Sequence, residues 1–135
     1  MLYYYATFIL AFLIILFYGK YRCDHPYFKD PLEYTFFGEI DLWSINHFIF
    51  FTFLGYLFPK TFWSSLIIGI LWELFETFNG IYKPKIFNGY GHCDKLTSDR
   101  PDGLWWYGKS SDIIMNTLGF AFGYYLNKNT LKNIT

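Results

Sequence analysis

Residues 65–78, "SLIIGILWELFETF", combine an apolar run with acidic residues. The apolar run suits the interior of a lipid bilayer, yet it ends with two carboxylates, Glu73 and Glu76. Residues three or four apart lie on the same face of an α-helix. Ionisable side chains are costly inside a membrane and are rare there unless they have a partner or a function. The stretch therefore predicts a membrane helix with one acidic face that does not face lipid.

The composition of the whole chain also favours a membrane protein. Hydrophobic residues make up 53% of its 135 residues and charged residues 16%, against about a quarter in ordinary soluble domains. Four apolar segments can be compared with the roughly 20 residues that cross the hydrocarbon core of a bilayer. They are residues 2–18, 42–58, 62–78 and 112–126, of which the last two are short or polar for a lipid-facing helix. We expect an all-α, polytopic integral membrane protein with about four transmembrane helices.

The chain is expected to form a single membrane domain, residues 1–135, with three parts. Residues 1–41 are predicted to form an N-terminal anchor helix and a loop, residues 42–126 the core, and residues 127–135 a polar tail. The first apolar segment lacks the basic region and the small-residue cleavage site of a removable secretory signal. We therefore interpret this segment as a retained anchor.

The loops between the apolar segments predict an orientation. With four crossings, the long loops 19–41 and 79–111 lie on one side of the membrane. Most lysines and arginines are in these loops, so the positive-inside rule places them in the cytoplasm. The formal net charge is +0, so the chain shows no basic footprint for nucleic acid, and the expected partners are membrane lipids. A second copy of the chain or another membrane protein is a further possible partner.

The two cysteines, Cys23 and Cys93, both lie in the long loops, next to His25 and His92. These four side chains are a possible zinc set by residue type, but their spacing differs from that of common zinc motifs. The alternative is a disulfide bond between Cys23 and Cys93. A disulfide requires an oxidising compartment, which would oppose the cytoplasmic orientation of the loops.

Five polar residues of the second, third and fourth segments are expected at a similar depth in the membrane. The second segment enters from the long-loop side, the third ends there, and the fourth begins there again. The residues are His47, Glu73, Glu76, Asp112 and Asn116. Because spacings of three and four residues place side chains on a shared helix face, we predict a polar site among helices two, three and four.

The acidic residues of this site suit a divalent cation. No Lys or Arg lies within the three segments to neutralise Glu73, Glu76 and Asp112. Oxygen ligands favour Ca²⁺, Mg²⁺ or Mn²⁺ over Zn²⁺. His47 suits a general base, because imidazole titrates near neutrality. A cation beside a base implies attack by a hydroxyl group or water on a phosphoryl or carbonyl group.

Two other interpretations of the same residues stay open. Acids and amides near helix ends also face headgroups or hydrogen-bond between helices without any chemistry. Carboxylates in a membrane can also form the selectivity ring of a channel, which would require this short chain to oligomerise.

Two glycines of the fourth segment, Gly119 and Gly123, are four residues apart. Small residues at this spacing let a neighbouring helix backbone approach closely. We expect them to serve helix packing.

Three motifs resemble known membrane enzymes: "INHF" (45–48), "LWELFE" (71–76) and "WWYGKSSDIIMNTLGFAFGYY" (105–125). The pattern resembles the VanZ-like family, which has a His early in one helix, a Glu-rich motif in the next and an Asp-x-x-x-Asn-x-x-Gly run in another. It also resembles the core of the base-exchange phosphatidylserine synthases. Both belong to a wider superfamily of lipid-processing membrane domains. The resemblance covers residues 44–126.

The resemblance implies roles for individual residues. His47 would match the base, and the metal-binding carboxylates would be Glu73, Glu76 and Asp112. Asn116 would support the pocket. The Trp pair of the synthases is matched by Trp105 and Trp106.

Separately from this resemblance, the loop residues Arg100 and Lys109 could contact lipid phosphate, although a solvated surface is the favoured interpretation for both.

The sequence also departs from both families. VanZ-like proteins commonly have Gln at the position of Glu76, and the synthases have an acid where this chain has Tyr107. The synthases are much longer. The spacing from Asp112 to Asn116 is the VanZ-like one.

The implied function is metal-dependent lipid modification. A phospholipid headgroup transferase would exchange the headgroup for an alcohol such as serine, and a phosphodiester hydrolase would use water instead. Ca²⁺ is the expected cation, with Mg²⁺ or Mn²⁺ as alternatives. The alternative to an enzyme is a VanZ-like membrane protein that binds lipid or an amphiphile without turnover.

Overall fold

The computed structural model describes residues 1–25, 29–82 and 108–132 and is mostly helical. Its helices are α1 (Leu2–Asp24), α2 (Leu42–Leu57), α3 (Phe62–Tyr82) and α4 (Ser110–Lys132). Between α1 and α2 lie a short 3₁₀ helix (Pro31–Glu33) and an antiparallel hairpin of β1 (Thr35–Phe37) and β2 (Ile40–Asp41). The predicted all-α class is confirmed, with this small hairpin added to it.

Each predicted apolar segment is a helix, but some helices are longer than the apolar run. α1 continues six residues past residue 18, and Lys20 and Asp24 form an ion pair of 3.3 Å at i,i+4 spacing in that extension. α4 continues to Lys132, so most of the predicted polar tail, 127–135, belongs to the helix. Residues 19–41, predicted as a loop, contain the end of α1, the 3₁₀ helix and the hairpin.

Among the residues that the structure describes, one helix is long and apolar enough to cross a membrane. It is the Leu2–Arg22 part of α1, and α2 is apolar but shorter. A signal sequence or a buried helix of a soluble protein meets the same test. The four-span arrangement therefore stays a prediction.

The described residues form two compact units. The first consists of the described parts of Met1–Pro31 and Glu76–Tyr107. Within it, Arg22 is completely buried, and its Nη1 lies 3.4 Å from Asp30 Oδ2. The hydroxyl of Tyr18 donates to Asp30 Oδ1 at 2.5 Å. An ion pair and a hydrogen bond thus join the end of α1 to the chain that follows it.

The second unit, residues 32–75 and 108–132, contains the hairpin, α2, most of α3, and α4. In it, α2 and α4 pack backbone to backbone through glycines. A Cβ on Gly119 would overlap the carbonyl oxygen of Phe48, and one on Gly123 would overlap that of Thr52. A Cβ on Gly55 of α2 would likewise overlap the carbonyl oxygen of Phe120. The predicted packing role of Gly119 and Gly123 is confirmed.

Candidate metal centre

The site begins at the end of the hairpin, where Asp41 leads into α2. Asp41 is the N-cap of this helix, and its Oδ1 accepts a hydrogen bond of 2.9 Å from the backbone N–H of Ser44. Asp is among the preferred N-cap residues because its carboxylate satisfies an N–H group that the helix leaves unpaired. Asp41 Oδ2 accepts a second hydrogen bond, of 2.5 Å, from the Nζ of Lys109. One side chain therefore both starts α2 and ties it to the start of α4.

On each of two helices, the site contains a pair of side chains spaced by one helical turn. On α2 they are Ser44 and His47, three residues apart, and on α4 they are Asp112 and Asn116, four residues apart. These spacings place each pair on one face of its helix. α3 contributes Glu73. With the exception of half-buried His47, all of these side chains are buried.

Three potential metal ligands converge at the centre of this cluster. Three ligand atoms, one from each of His47, Glu73 and Asp112, lie within 4.8 Å of one another. His47 Nδ1 lies 3.8 Å from Glu73 Oε1, and His47 Nε2 lies 4.0 Å from Asp112 Oδ2. An imidazole and two carboxylates are ligand types that divalent cations accept. The residues present therefore fit a bound divalent cation.

Asn116 determines how the imidazole of His47 is presented. Its Oδ1 lies 2.9 Å from His47 Nδ1. Because an amide oxygen only accepts hydrogen bonds, Nδ1 carries the proton and donates it. The lone pair of the neutral ring is then on Nε2, the nitrogen that faces Asp112. Partners of this kind fix the tautomer and the orientation of metal-binding histidines in many proteins.

Protein donors also orient the two carboxylates. The backbone N–H of Lys109 donates to Glu73 Oε2 at 2.8 Å. The hydroxyl of Ser44 donates to Asp112 Oδ1 and also lies 3.2 Å from Asp41 Oδ1. Each carboxylate is thus held by one oxygen, while its other oxygen lies nearest to His47. This is the geometry of an oriented ligand set.

The cluster has more acidic than basic groups, so a cation would balance its charge. When ionised, the carboxylates of Asp41, Glu73 and Asp112 face one buried ammonium group, that of Lys109. Its Nζ contacts Asp41 and lies 3.9 Å from Asp112 Oδ2. With a neutral His47, the acidic groups outnumber the basic group by two. Because uncompensated buried charge is costly, a divalent cation would stabilise this arrangement.

The structure brings most of the described candidate residues together. His47, Glu73, Asp112, Asn116 and Lys109 belong to one cluster. Lys109 differs from its expectation as a solvated surface residue, since it is buried and bonded to Asp41. The buried positive charge of Lys109 was not predicted, because Lys109 lies one residue before α4 and outside the apolar segments.

The predicted site roles of the remaining candidates stay predictions. Glu76 is half-buried on α3 and is not among the three converging ligands, so its metal role stays a prediction. Arg100, Trp105, Trp106 and Cys93 lie outside the described residues, as does the pairing proposed for Cys93.

Sequence reasoning missed two residues of the site, Asp41 and Ser44. The signal for them is present as an Asp directly before an apolar segment, which is a common helix start. Asp41, Ser44 and His47 follow one another at intervals of three residues. That spacing continues the face of His47 back to the helix N-terminus.

Comparisons with known proteins assign no family to this geometry. No protein-family model, no curated protein and no solved structure matches the chain. The resemblance to VanZ-like proteins and to the base-exchange synthases therefore stays a prediction that rests on the quoted motifs.

Proposed function

We propose that the chain is a multi-pass membrane enzyme that modifies phospholipid headgroups with the help of a divalent cation. The observation that carries this proposal is the convergence of His47, Glu73 and Asp112 within 4.8 Å. In this proposal all four helices cross the bilayer, and the long loops lie on the cytoplasmic side, where basic residues are enriched.

The distribution of polar and apolar side chains in the second unit supports a membrane setting. Large apolar residues point outward on each helix, such as Phe53 of α2, Ile67 of α3 and Leu118 of α4, which are 50%, 55% and 54% exposed. Polar residues such as Ser44 and Ser65 are completely buried. Large exposed apolar surfaces mark contact with lipid or with another protein. A polar interior with an apolar exterior suits a helical membrane protein.

The hairpin supports a position of the site near the membrane surface. Phe36 and Phe37 of β1 are largely exposed, and the strand that follows ends at Asp41. Tyr34, directly before β1, is 64% exposed, and Tyr and Trp side chains are enriched at the headgroup level of membranes. A site that begins at Asp41 would then lie within reach of lipid headgroups.

The proposed reaction is a displacement at the phosphorus atom of a phospholipid. The oxygen of an incoming alcohol, for example serine, forms a bond to phosphorus, and the bond from phosphorus to the old headgroup oxygen breaks. The proton of the incoming hydroxyl group leaves it, and the departing headgroup takes up a proton as a free alcohol. With water in place of the alcohol, the products are phosphatidate and the free headgroup.

The cation and the protein side chains would have separate roles in this reaction. A divalent cation bound at the site would polarise a phosphoryl oxygen and lower the pKa of a nearby hydroxyl group. Glu73 and Asp112 would hold it, and Ser44 and the N–H of Lys109 would orient these carboxylates. The lone pair of His47 Nε2 would either accept the hydroxyl proton or bind the cation. The buried ammonium of Lys109 would add positive charge beside the reacting phosphate.

One observation favours a second candidate, a non-enzymatic protein that binds lipid or an amphiphile. Protein donors already hold one oxygen of each carboxylate, as occurs in polar networks that only join helices. In that case Glu73→Gln would change stability, and there would be no turnover to lose.

The test is lipid mass spectrometry on the purified chain, incubated with mixed phospholipids, serine and a divalent cation. We expect new headgroup species or phosphatidate, both absent with His47→Ala and with Glu73→Gln. Glu39→Gln, in the exposed turn of the hairpin, is the matched control and should keep full activity. Folded protein that leaves every lipid unchanged with Ca²⁺, Mg²⁺, Mn²⁺ and Zn²⁺ would contradict the enzyme proposal.

A further inference from the structure

The imidazole of His47 has a single lone pair, so two of its predicted roles exclude each other. Its Nδ1–H donates to Asn116 Oδ1, which leaves Nε2 as the only nitrogen that can act. A nitrogen that binds a cation cannot take up a proton at the same time. His47 is therefore either a ligand or a base.

The geometry points to His47 as the third ligand of the cation and, in consequence, to a site that prefers a first-row transition cation over Ca²⁺. This inference rests on the proposed function only in that a divalent cation occupies the site. Without His47, the converging set is reduced to two carboxylates, Glu73 and Asp112, and the third ligand atom within 4.8 Å is lost.

The ligand count is the first argument against Ca²⁺. Ca²⁺ takes six to eight oxygen ligands and often binds carboxylates through both oxygens. Here Glu73 and Asp112 each use one oxygen to accept a protein hydrogen bond. Even with both oxygens of each carboxylate counted, Glu73 and Asp112 supply four oxygens, fewer than the six to eight that Ca²⁺ takes, and His47 adds a nitrogen.

The nitrogen ligand is the second argument. Imidazole is a common ligand of transition cations, whereas Ca²⁺ and Mg²⁺ prefer carboxylate, carbonyl and water oxygens. Neutral His47 adds no negative charge to attract a hard cation. It adds a directed lone pair, which favours transition cations.

Mn²⁺ is the most stringent probe of this preference. It binds more weakly than the later divalent cations of the first row at most protein sites, so a preference for Mn²⁺ over Ca²⁺ implies the same for the others. Electron paramagnetic resonance measures it directly, because the six-line signal of free Mn²⁺ falls when the ion binds. The purified chain is titrated with Mn²⁺ and then with Ca²⁺ as competitor.

We expect that displacing half of the Mn²⁺ requires at least about a tenfold excess of Ca²⁺. In His47→Asp, which replaces the nitrogen by a carboxylate, Ca²⁺ should compete at least as well as Mn²⁺. His25→Asp is the matched control, because His25 lies exposed at the end of α1, and it should leave the competition unchanged. Circular dichroism checks that both variants keep their helices.

Displacement of Mn²⁺ by an equal concentration of Ca²⁺ would overturn the inference, as would a His47→Asp variant with the competition of the wild type. Equal competition leaves the lipid chemistry standing with Ca²⁺ as its cation, and an unchanged His47→Asp variant leaves it standing with His47 as the base. Failure of the chain to bind Mn²⁺ also overturns the inference. Lipid turnover with Ca²⁺ in the same preparation then decides separately whether the proposed function survives.

Discussion

At the scale of single residues, the hydrogen bond between Asn116 and His47 links the fold to the proposed chemistry. Asn116 is 1% exposed and is held between α2 and α3, because Gly69 of α3 leaves space for its amide. A Cβ on Gly69 would lie 2.8 Å from Asn116 Nδ2. The position of the imidazole thus depends on two residues that bind no cation themselves.

Asn116→Leu is expected to weaken cation binding while keeping the fold. The substitution preserves the approximate size of the side chain but removes the acceptor that orients His47. Loss of such an outer partner typically lowers metal affinity by about 10- to 100-fold. The change can be measured by Mn²⁺ titration. Asn127→Leu, which removes a hydrogen bond to the Tyr56 carbonyl elsewhere on α4, should leave the affinity unchanged.

Lys109→Met is expected to destabilise the protein strongly. It removes the ammonium that pairs with buried Asp41 at 2.5 Å and lies 3.9 Å from Asp112. Removal of one partner of a buried ion pair costs about 3–5 kcal/mol, because the other charge is left uncompensated. Denaturant titration measures this loss.

Lys20→Met is the control for Lys109→Met. Lys20 forms an exposed ion pair with Asp24, and such pairs contribute less than about 1 kcal/mol. Equal losses of stability in the two variants would contradict a buried role for Lys109.

At the scale of helices, the contact between α2 and α4 keeps the ligands of the two helices at a fixed separation. Glycines on both helices allow it, namely Gly55 on α2 with Gly119 and Gly123 on α4. Phe51, Leu54 and Phe120 form the buried apolar core beside it. The helices pack through small residues, as membrane helices commonly do.

Gly123→Ala should separate these helices. The new Cβ would overlap the Thr52 carbonyl oxygen and come within 2.8 Å of the backbone nitrogen of Tyr56. Alanine normally favours a helix over glycine, so a loss of stability would report the clash. Overpacking of this kind costs about 1–3 kcal/mol.

Ala121→Val tests whether the clash is specific. Ala121 lies on the exposed face of α4, so the added methyl groups meet no neighbouring backbone there. Its effect on denaturant unfolding should stay within about 0.5 kcal/mol. A Gly123→Ala variant as stable as the wild type would contradict the close approach of α2 and α4.

The helices were predictable from the sequence, and the hairpin was not. The apolar runs behind α1 to α4, residues 2–18, 42–58, 62–78 and 112–126, are each long enough for a helix and too long for a typical strand. The hairpin has strands of three and two residues, and its turn depends on Gly38 at φ 57. Such short strands have too few residues for an alternating pattern, so only the tertiary structure shows them.

The site was predictable where one helix face carries adjacent polar residues. His47, Glu73, Asp112 and Asn116 stand out because they interrupt apolar segments. Asp41 and Lys109 lie just outside those segments, where charged residues are ordinarily solvated. Their burial follows from the packing of helix ends, which hydropathy does not report.

At the scale of the whole molecule, the four-span proposal predicts which positions face the same side of the membrane. Lys60 lies between α2 and α3 and Lys29 between α1 and α2, so they should lie on opposite sides. Lys60→Cys and Lys29→Cys are made in a chain whose native cysteines are replaced by serine. In sealed vesicles, a membrane-impermeant maleimide should label one variant and spare the other until detergent is added.

Labelling of both variants in intact vesicles would contradict the crossing of α2. The chain whose native cysteines are replaced by serine, without a new cysteine, is the background control. Labelling after detergent shows that each position is reactive. If the positive-inside prediction holds, Lys29→Cys is the variant that faces the cytoplasm.

The number of Mn²⁺ ions bound per chain, obtained by equilibrium dialysis and elemental analysis, tests the proposed metal centre. His47, Glu73 and Asp112 come from three helices and meet within 4.8 Å, so we expect one ion per chain. His47→Gln, Glu73→Gln and Asp112→Asn should each lose that ion while remaining helical. A folded wild-type chain that binds no ion, or three variants that still bind it as tightly, would contradict a metal centre at this site.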